Sequence, residues 1–497
     1  MRRRTLATVL SCVAFTGACG TTLNVSDAPG GTPAGENLEV TTAPPPITVG
    51  HPPARTPPQQ TGAVPGLSGS PAHAETPTPP TSLHAGATGS PTKAAPTTAP
   101  VTTGSGPVRV GVLYVGGVSA LASALGIPGL STGDPSAQAK AIADYINPHG
   151  GLAGRPIALY PEPVNVSLTA ANTDSAYAAA CAGLVQDDKV SFVVSYTNLS
   201  AIDLACYVHA GVTVLDDQAE VPDSTANADE NTFAAPGELA VGRATVALVD
   251  DLWRRGWLNS KSKVGALTWD TPDGQDFASH YLAPALSRHG LALAATAYVS
   301  QGTSGANQAG SVLQFRTKGV NRIIPIATSP LFFMEAAQTQ GYHPEYAVTS
   351  IFGPGALVES TAPKAQLTGA AGIGWDKYLD IGAGKMPGPV SGNETLCFKI
   401  MAAAGQQSSS NTVKTFQTAL CNDLLFLQAA SKRFGLGPDM LTLARQARFG
   451  FPPADAFAIR LEPGRADGVS AYRDVSYETS CGCFQYTSGN RALPAVG

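Results

Sequence analysis

The chain has 497 residues, of which 13% are charged, and its formal net charge at pH 7 is −5. No cluster of Lys and Arg interleaved with aromatic residues is present, so the sequence gives no sign of nucleic-acid binding. After the N-terminal segment, no run of 18 or more apolar residues suggests a membrane span. The part beyond residue 106 has the composition of an ordinary soluble protein, and its length of about 390 residues suits two lobes rather than one core.

The N-terminus has the features of an export signal. Residues 2–4 are arginines, and residues 5–15 are apolar but too few to cross a bilayer. Residues 16–19 read TGAC and resemble a lipobox, in which signal peptidase cuts before a cysteine that then carries diacylglycerol. Residues 1–18 are therefore predicted to be a lipoprotein signal peptide, with Cys19 lipidated. Since a threonine replaces the usual leucine of such a box, the alternative is an ordinary signal cut near Ala18, which would leave a freely secreted protein.

Residues 19–106 are predicted to form a disordered tether. They are rich in Pro, Thr, Gly, Ser and Ala and contain almost no large apolar side chains. Such a segment buries too little surface to offset the entropy lost on ordering, and its prolines favour polyproline II conformations. A flexible chain of this length has a reach of roughly 50 Å. The segment either holds a receptor away from its membrane or is a linker of no further consequence.

From Val108 onward, strand-like and helix-like segments alternate. The longest helices are predicted over residues 238–254 and 412–434, and a last β-like region over residues 469–486. This alternation predicts an α/β fold of two doubly wound, Rossmann-like sheets with several crossings between them. Strands are predicted near residues 108–115, 157–162, 191–195 and 212–216, and again near residues 263–269, 292–299, 322–327, 346–351 and 370–375.

One stretch, residues 144–160, reads DYINPHGGLAGRPIALY. Pro148 ends a helix, Gly150 and Gly151 permit a tight turn, and residues 154–156 lead into the next strand. Strand, helix, glycine turn and strand together make a parallel βαβ unit. The pattern IN-x-x-GG-x-x-GR-x-I resembles the start of bacterial type 1 periplasmic binding proteins, and most closely the leucine/isoleucine/valine-binding branch that serves ABC importers.

The resemblance follows the order of elements over residues 107–486. It implies two lobes joined by hinge crossovers, a small polar solute between them, ABC permease subunits as partners, and neither catalysis nor a cofactor. Together with Cys19, it implies a receptor anchored by lipid on the outer face of the bacterial cytoplasmic membrane. A sensor or tethering lipoprotein without a transporter is the alternative among binding proteins. The implied boundaries are residues 107–235 and 376–462 for lobe 1, and residues 236–375 and 463–497 for lobe 2.

Ligands of open parallel sheets bind beyond the carboxyl ends of the strands. In the amino-acid-binding relatives, these loops supply hydroxyl and backbone N–H groups for the ligand carboxylate and an acid for its ammonium group. Matching the loops segment by segment gives these candidate ligand-binding residues: Thr132, Asn198, Ser200, Gln218, Ala219, Glu220, Asp273, Ser329 and Gly355.

Two loops of the predicted lobe 2 depart from the relatives. Asp273 stands before Gly274 where relatives often carry an aromatic residue. The relatives' ammonium-binding acid falls in a Gly-Pro-acid-Gly turn, whereas residues 353–356 read GPGA. Either Asp273 or Glu220 replaces this acid, or both are ordinary solvated loop residues, so the class of ligand stays open.

The cysteines fit an oxidising compartment. Of the eight in the chain, six remain after the signal-peptide Cys12 and the lipidation candidate Cys19, and an even number suits disulfides. Order along consecutive helical segments predicts the pairs Cys181–Cys206 and Cys397–Cys421. Cys481 and Cys483 are interpreted as a structural staple near the C-terminus. A redox role is the alternative, while the lack of accompanying Cys or His at ligand spacing argues against a metal.

The catalytic motifs are weak. Residues 129–133 read GLSTG and match the G-x-S-x-G elbow of serine hydrolases by letter. That elbow needs a strand directly before it and a helix directly after it, whereas residues 119–128 read as a loop of small residues. No H-E-x-x-H, P-loop or dinucleotide-binding glycine motif stands in the right context. The sequence therefore predicts a protein that is not an enzyme, and a secreted hydrolase that uses Ser131 is the alternative from another class.

Overall fold

A computed structural model describes residues 106–118, 131–165, 174–197, 199–217, 220–299, 308–382 and 390–493. All of these residues belong to one compact unit. None of the helices in these ranges is both long enough and apolar enough to cross a membrane. The expected signal peptide, Cys19 and the tether up to residue 105 lie outside the described residues, as do the candidate ligand residues Asn198, Gln218 and Ala219.

Within the described ranges, five parallel strands form a first sheet in the order β2-β1-β3-β4-β5. They are β1 (Val108–Val115), β2 (Ile157–Val164), β3 (Phe192–Tyr196), β4 (Thr213–Asp216) and β5 (Phe233–Ala234). Strands β3 and β4 are buried along their whole length, as expected of parallel strands that helices cover on both faces. The helices that alternate with these strands are α1 (Pro135–Ile146), α2 (Asp174–Ala182), α3 (Ala201–His209) and α4 (Asp223–Ala228).

The described residues also form a second sheet, of eight strands, in the order β14-β13-β10-β9-β8-β6-β7, with β15 paired to β13. Its parallel strands are β6 (Val264–Trp269), β7 (Leu293–Val299), β8 (Arg322–Pro325), β9 (Glu345–Val348) and β10 (Ala371–Gly374). After a separate short ladder of β11 (Gly450–Phe451) and β12 (Ile459–Arg460), three strands extend this sheet in antiparallel orientation. They are β13 (Ala471–Glu478), β14 (Cys483–Tyr486) and β15 (Arg491–Ala492).

The helices divide between the two sheets in chain order. Those around the second sheet are α5 (Val241–Arg254), α6 (Pro272–Asp276), α7 (Ala283–Arg288), α8 (Gln308–Lys318), α9 (Leu331–Thr339), α10 (Pro354–Glu359) and α11 (Lys364–Leu367). The chain then returns to the first sheet with α12 (Gly392–Ala403), α13 (Asn411–Phe434) and α14 (Met440–Gln446), and α13 packs against α1 and β3. Short turns complete the fold, π-helical at Gly183–Asp187 and Phe277–Leu282 and 3-10 at Asn147–His149 and Ser350–Phe352.

The βαβ unit of the GG motif has the predicted order. After α1 and its 3-10 turn, Gly150 and Gly151 adopt φ angles of 99° and 57°. A Cβ on Gly151 would lie 2.0 Å from the carbonyl oxygen of Arg155, so only glycine fits there. Strand β2 then pairs in parallel with β1.

In the described part of the chain, three segments run between the two sheets. We call residues 235–240 the first crossing, residues 375–382 the second and residues 452–470 the third. The indole Nε1 of Trp375, which is fully buried, donates a hydrogen bond of 3.0 Å to Glu238 Oε2 and so joins the second crossing to the first. Two doubly wound α/β sheets with several crossings confirm the predicted fold class.

The first and third crossings are held together by backbone hydrogen bonds. Gly468 N donates to Ala235 O (2.9 Å), and Val469 N donates to Glu238 O (3.1 Å). Within the first crossing, residues 236–237 form a turn and residues 238–240 are not helical. The helix predicted from residue 238 therefore begins only at Val241, because the Glu238 carbonyl is already used by the third crossing.

Both predicted inter-helix disulfides are present. Cys181–Cys206 joins α2 to α3 across 25 positions, and Cys397–Cys421 joins α12 to α13 across 24. Cys481 and Cys483 form a third bridge of the described residues, in the turn between β13 and β14. Each of the first two bridges fixes a pair of neighbouring helices around the first sheet.

Candidate functional site

Loops that follow strands of the first sheet lie against loops that follow strands of the second. Ala201, the first residue of α3 after β3, donates its backbone N–H to Asp273 Oδ2 at 3.3 Å, and Asp273 lies in α6 after β6. Asp217 directly follows β4 and is close enough to Asp376, after β10, for their charges to interact. The carboxyl ends of strands from both sheets therefore meet, which is where a ligand cleft is expected in this class of fold.

Ser200 and Asp273 lie close together in this cleft. Ser200 is the N-cap of α3 in a capping box: its Oγ accepts from Asp203 N (3.3 Å) and donates to Asp203 Oδ2 (2.7 Å). Asp273 comes from the opposite side and accepts from the next residue, Ala201. Burial raises the pKa of Asp273, while the Ala201 hydrogen bond lowers it. The positive end of α3 thus receives a carboxylate of the protein itself.

A second carboxylate bridges the two sides in the same way. Glu359, at the end of α10, accepts a hydrogen bond of 3.5 Å from Thr412 Oγ1, in the first turn of α13. Burial raises the pKa of Glu359, and the Thr412 hydrogen bond lowers it. In both contacts, an acid from the second-sheet side meets the N-terminal turn of a helix from the first-sheet side.

The contacts of three other described candidates are within their own loops or with a crossing. Thr132 is buried, and its carbonyl accepts from Gln138 Nε2 at 3.1 Å. Ser329 Oγ accepts from Leu331 N at 3.4 Å, at the start of α9. Gly355 packs on the second crossing, where a Cβ would come within 2.8 Å of the carbonyl oxygens of Leu379 and Ile381. A glycine is therefore needed at Gly355 for packing, whatever its relation to a ligand.

Glu220 is buried close to Asp216, at the end of β4. Burial raises the pKa of Glu220 well above the ordinary value, and the charge of Asp216 raises it further. One carboxylate oxygen of Glu220, Oε1, is buried without a hydrogen-bond partner in the described part of the protein. Glu220 is therefore an acceptor that a bound group can satisfy.

A group of buried acids that the sequence did not reveal lies where the crossings meet. We call Asp217, Glu238, Asp376, Asp423 and Asp455 the acidic cluster; each is less than 10% exposed. They come from five different places: the end of β4, the first, second and third crossings, and α13. The cluster thus lies where the end of β4 meets the three crossings that the structure describes.

Burial raises the pKa of every member of the cluster, and repulsion by neighbouring acids raises it further for every member except Asp376. The pKa of Asp376 rises to about 6 and that of Asp455 to about 8. The pKa values of Asp217, Glu238 and Asp423 lie well above the ordinary range for the same two reasons. The cluster therefore holds protons near neutral pH.

The cluster has few compensating groups. Asp376 Oδ1 accepts from Tyr378 N (2.9 Å) and Leu379 N (3.0 Å). Lys377 is the nearby cation, but its Nζ donates a hydrogen bond of 2.7 Å to Glu394 Oε2, so it is already paired. Within the described ranges, no set of three or more His, Cys, Asp or Glu side chains is arranged to hold a metal ion.

Ser131 does not have the surroundings of a nucleophile elbow on its C-terminal side. Its Oγ accepts from Gly133 N at 3.4 Å, and α1 begins only at Pro135, with Asp134 as its cap. The elbow requires a helix directly after the serine. The residues before Ser131, 119–130, lie outside the described residues.

No protein-family model and no curated protein sequence matches the chain. A periplasmic binding protein type 1 from Bordetella pertussis Tohama I matches by structure with a TM-score of 0.56 at 12% identity, over 78% of this chain and 100% of that one. A solute-binding protein of an ABC transporter from Rhodopseudomonas palustris BisB5, in complex with 3,4-dihydroxybenzoic acid, gives a TM-score of 0.53 at 15% identity, over 78% and 98%. A branched-chain amino acid transporter substrate-binding protein from Streptococcus pneumoniae, in complex with isoleucine, gives 0.54 at 14%, over 78% and 99%. This chain therefore has the fold of the type 1 periplasmic binding proteins, as its IN-x-x-GG-x-x-GR-x-I stretch implies.

Proposed function

We propose that the protein is an extracytoplasmic solute-binding receptor of an ABC importer. It binds a small polar solute, amino-acid-like or related, between two lobes and closes over it by bending at the crossings. The observation that supports this most directly is the meeting of strand-end loops from two doubly wound sheets. The fold is also that of solute-binding proteins whose structures are in complex with isoleucine and with 3,4-dihydroxybenzoic acid. No catalytic step belongs to this function.

The proposed lobes are residues 107–235 with 376–462, and residues 236–375 with 463–497. Each proposed lobe contains one of the two large sheets, and the proposed hinge lies near Ala235, Trp375 and Leu461. Hydrogen bonds between the crossings support a concerted hinge, because the Trp375 indole donates to Glu238 in the first crossing. Bending at one crossing then requires the others to adjust.

We propose that Ser200, Glu220 and Asp273 contact the solute, and that the remaining candidates complete the site. Glu220 supports this because it has a buried carboxylate oxygen without a partner. Asp273 supports it because it already crosses the cleft to α3. The completing residues are Thr132, Asn198, Gln218, Ala219, Ser329 and Gly355.

The test is calorimetric titration of the mature chain against a panel of amino acids, hydroxybenzoates and other small polar solutes. One class should bind with a stoichiometry of one, raise the melting temperature, and reduce the radius of gyration in X-ray scattering. Removing one neutral donor or acceptor from the contact weakens binding by about 1 kcal/mol, or about 1.5–3 kcal/mol if the solute group is charged. Asp144→Asn, which changes an exposed acid on α1, is the matched control.

Two results would count against the proposal. If a solute binds but Ser200→Ala, Glu220→Gln and Asp273→Ala all keep full affinity, the site lies in other loops. If a solute binds and is turned over, and Ser131→Ala abolishes that turnover, the hydrolase alternative holds. Uptake of the solute in cells lacking the chain separates an importer receptor from a sensor, because only the importer receptor is needed for uptake.

We also propose that Cys19 carries a lipid that holds the protein on the outer face of the cytoplasmic membrane, with residues 19–106 as the tether. The support is the small-residue stretch before Cys19 and the Pro-rich sequence after it. Cys19→Ala should move the protein from the membrane fraction to the medium. A wild-type protein that is already soluble, with an N-terminus other than residue 19, contradicts the anchor.

A further inference from the structure

The turn between β13 and β14 contains a disulfide whose cysteines are only two positions apart, Cys481 and Cys483. Cys481 is exposed, whereas Cys483 is 8% exposed. The turn needs no unfolding for a thiol from solution to approach Cys481. Attack at this sulfur requires access from solvent, and an exposed residue at a hairpin turn provides it.

A groove of about 490 Å³ lies beside this bridge. Its hydroxyl groups come from Thr368, Tyr477, Thr479 and Ser480, and Lys364 is the one cation among its described lining residues. Lys364 is exposed and lies at the start of α11. The groove therefore suits a small molecule that carries both hydrogen-bonding groups and a carboxylate.

Both sulfurs accept hydrogen bonds from one side chain. Gln485 Nε2 lies 3.2 Å from Cys481 Sγ and 3.5 Å from Cys483 Sγ. A donor in this position stabilises a thiolate on either sulfur. The group that must leave when Cys481 is attacked, the Cys483 thiolate, therefore has a donor in place before the reaction.

Opening this bridge costs the fold less than opening either of the other two. In the chain-entropy relation, the constraint that a bridge places on the unfolded chain grows as the 3/2 power of loop length. The separations are 2 positions here and 25 and 24 in the other two bridges. This bridge is therefore weaker as a constraint by roughly 40-fold. It also joins residues of one hairpin, whereas the other bridges join separate helices.

We propose that Cys481–Cys483 is a thiol–disulfide exchange site for a small thiol that carries a carboxylate. The partner thiolate attacks Cys481 Sγ and forms a new S–S bond. The Cys481–Cys483 bond breaks, and Cys483 leaves as a thiolate that takes up a proton. A second partner thiolate then attacks the partner's sulfur in the mixed disulfide and releases Cys481. Two partner thiols are oxidised to one disulfide, and the protein gains two thiols.

The test uses the oxidised, folded mature chain with glutathione or glutathione diethyl ester, which share one thiol but differ in their free carboxylates. After an acid quench and alkylation, mass spectrometry maps the adduct. The expected products are an adduct on Cys481 and an alkylated Cys483, while Cys181–Cys206 and Cys397–Cys421 stay closed. Cys206 is also exposed, so its bridge is a control within the chain for exposure alone.

The effect of the partner's carboxylates is measured by comparing the reaction rates of the two thiols. Glutathione should react a few-fold faster than its diester, an advantage that added salt reduces. Lys364→Ala should abolish the advantage, and Gln485→Ala should slow the reaction of both thiols severalfold. Cys481→Ser/Cys483→Ser should give no adduct and keep the far-ultraviolet circular dichroism of the wild type.

The proposal is overturned if the three bridges open together, if adducts form only in denaturant, or if the adduct is on Cys206. Equal rates for glutathione and its diester in the wild type overturn the choice of a carboxylate-bearing partner. Each of these results is independent of whether a solute binds between the lobes.

Discussion

At the N-terminus of α3, the Ser200 hydroxyl both accepts from the Asp203 backbone and donates to the Asp203 carboxylate. Removing an N-cap serine costs about 1 kcal/mol of stability. Ser200→Ala should therefore lower the free energy of unfolding by about that amount in urea, even without a solute. Ser200→Asn keeps a capping acceptor and should lose less. Unchanged stability in Ser200→Ala would mean that the capping box contributes nothing measurable to the stability of the fold.

The acidic cluster predicts how stability depends on pH. Burial, and then the charge of Asp376, raise the pKa of Asp455 from 3.8 to about 8. Between these values the folded chain binds more protons than the unfolded chain, so the free energy of unfolding should fall as pH rises from about 4 to about 8. Asp455→Asn should reduce this slope by at most about 1.4 kcal/mol per pH unit.

The measurement is urea unfolding at several pH values from 4 to 8. Asp144→Asn is the control, since Asp144 is exposed and pairs with Lys140 on the surface of α1. Equal slopes in the wild type and Asp455→Asn would show that Asp455 is ionised at neutral pH in the fold.

Single residues of the site were only partly predictable. The rule that ligands bind beyond strand ends selected Ser200 and Asp273, and these two lie at one place in the structure. Of the acidic cluster, only Asp217 stands at a predicted strand end. Glu238 and Asp455 are more than 200 positions apart in the sequence, and no local pattern marks residues that meet only when the crossings form.

At the scale of elements, the bridge between α12 and α13 fixes two helices that cover the first sheet. The chain-entropy relation gives a loop of 24 positions about 3.4 kcal/mol of stabilisation. Cys397→Ala/Cys421→Ala should lower the free energy of unfolding by that amount, measured in guanidinium. The matched control is Cys481→Ser/Cys483→Ser, for which the same relation gives about 1.2 kcal/mol. Equal losses in the two variants would contradict the dependence on loop length.

Strand positions were predictable because buried parallel strands appear as continuous apolar runs, and the predicted start of β1, at residue 108, is the observed one. The start of α5 was not predictable, since the Glu238 carbonyl accepts a hydrogen bond from Val469 N in the third crossing. The antiparallel direction of β13 depends on where the chain returns from α14, which periodicity does not report.

At the scale of the whole molecule, Asp273 and Glu359 reach across the cleft to α3 and α13. Removing both contacts should favour an open form of the empty protein. Asp273→Ala/Glu359→Ala should therefore have a larger radius of gyration than the wild type in X-ray scattering. Asp270→Ala, which changes an exposed acid after β6, is the control and should leave the radius unchanged. An unchanged radius in the double variant would show that the crossings alone set the distance between the lobes.

The contact of Asp273 with the Ala201 N–H has a consequence for selectivity. A carboxylate tethered beside its donor acts at a local concentration that reaches the millimolar range or above. Free anions that contact only this N–H must compete with the Asp273 carboxylate. This competition lowers their apparent affinity in proportion to the fraction of molecules in which the N–H is free. Binding of inorganic anions and stray carboxylates at this N–H should thereby be weakened. A solute of the proposed receptor should displace the protein's own acid only if its remaining groups make further contacts in the cleft.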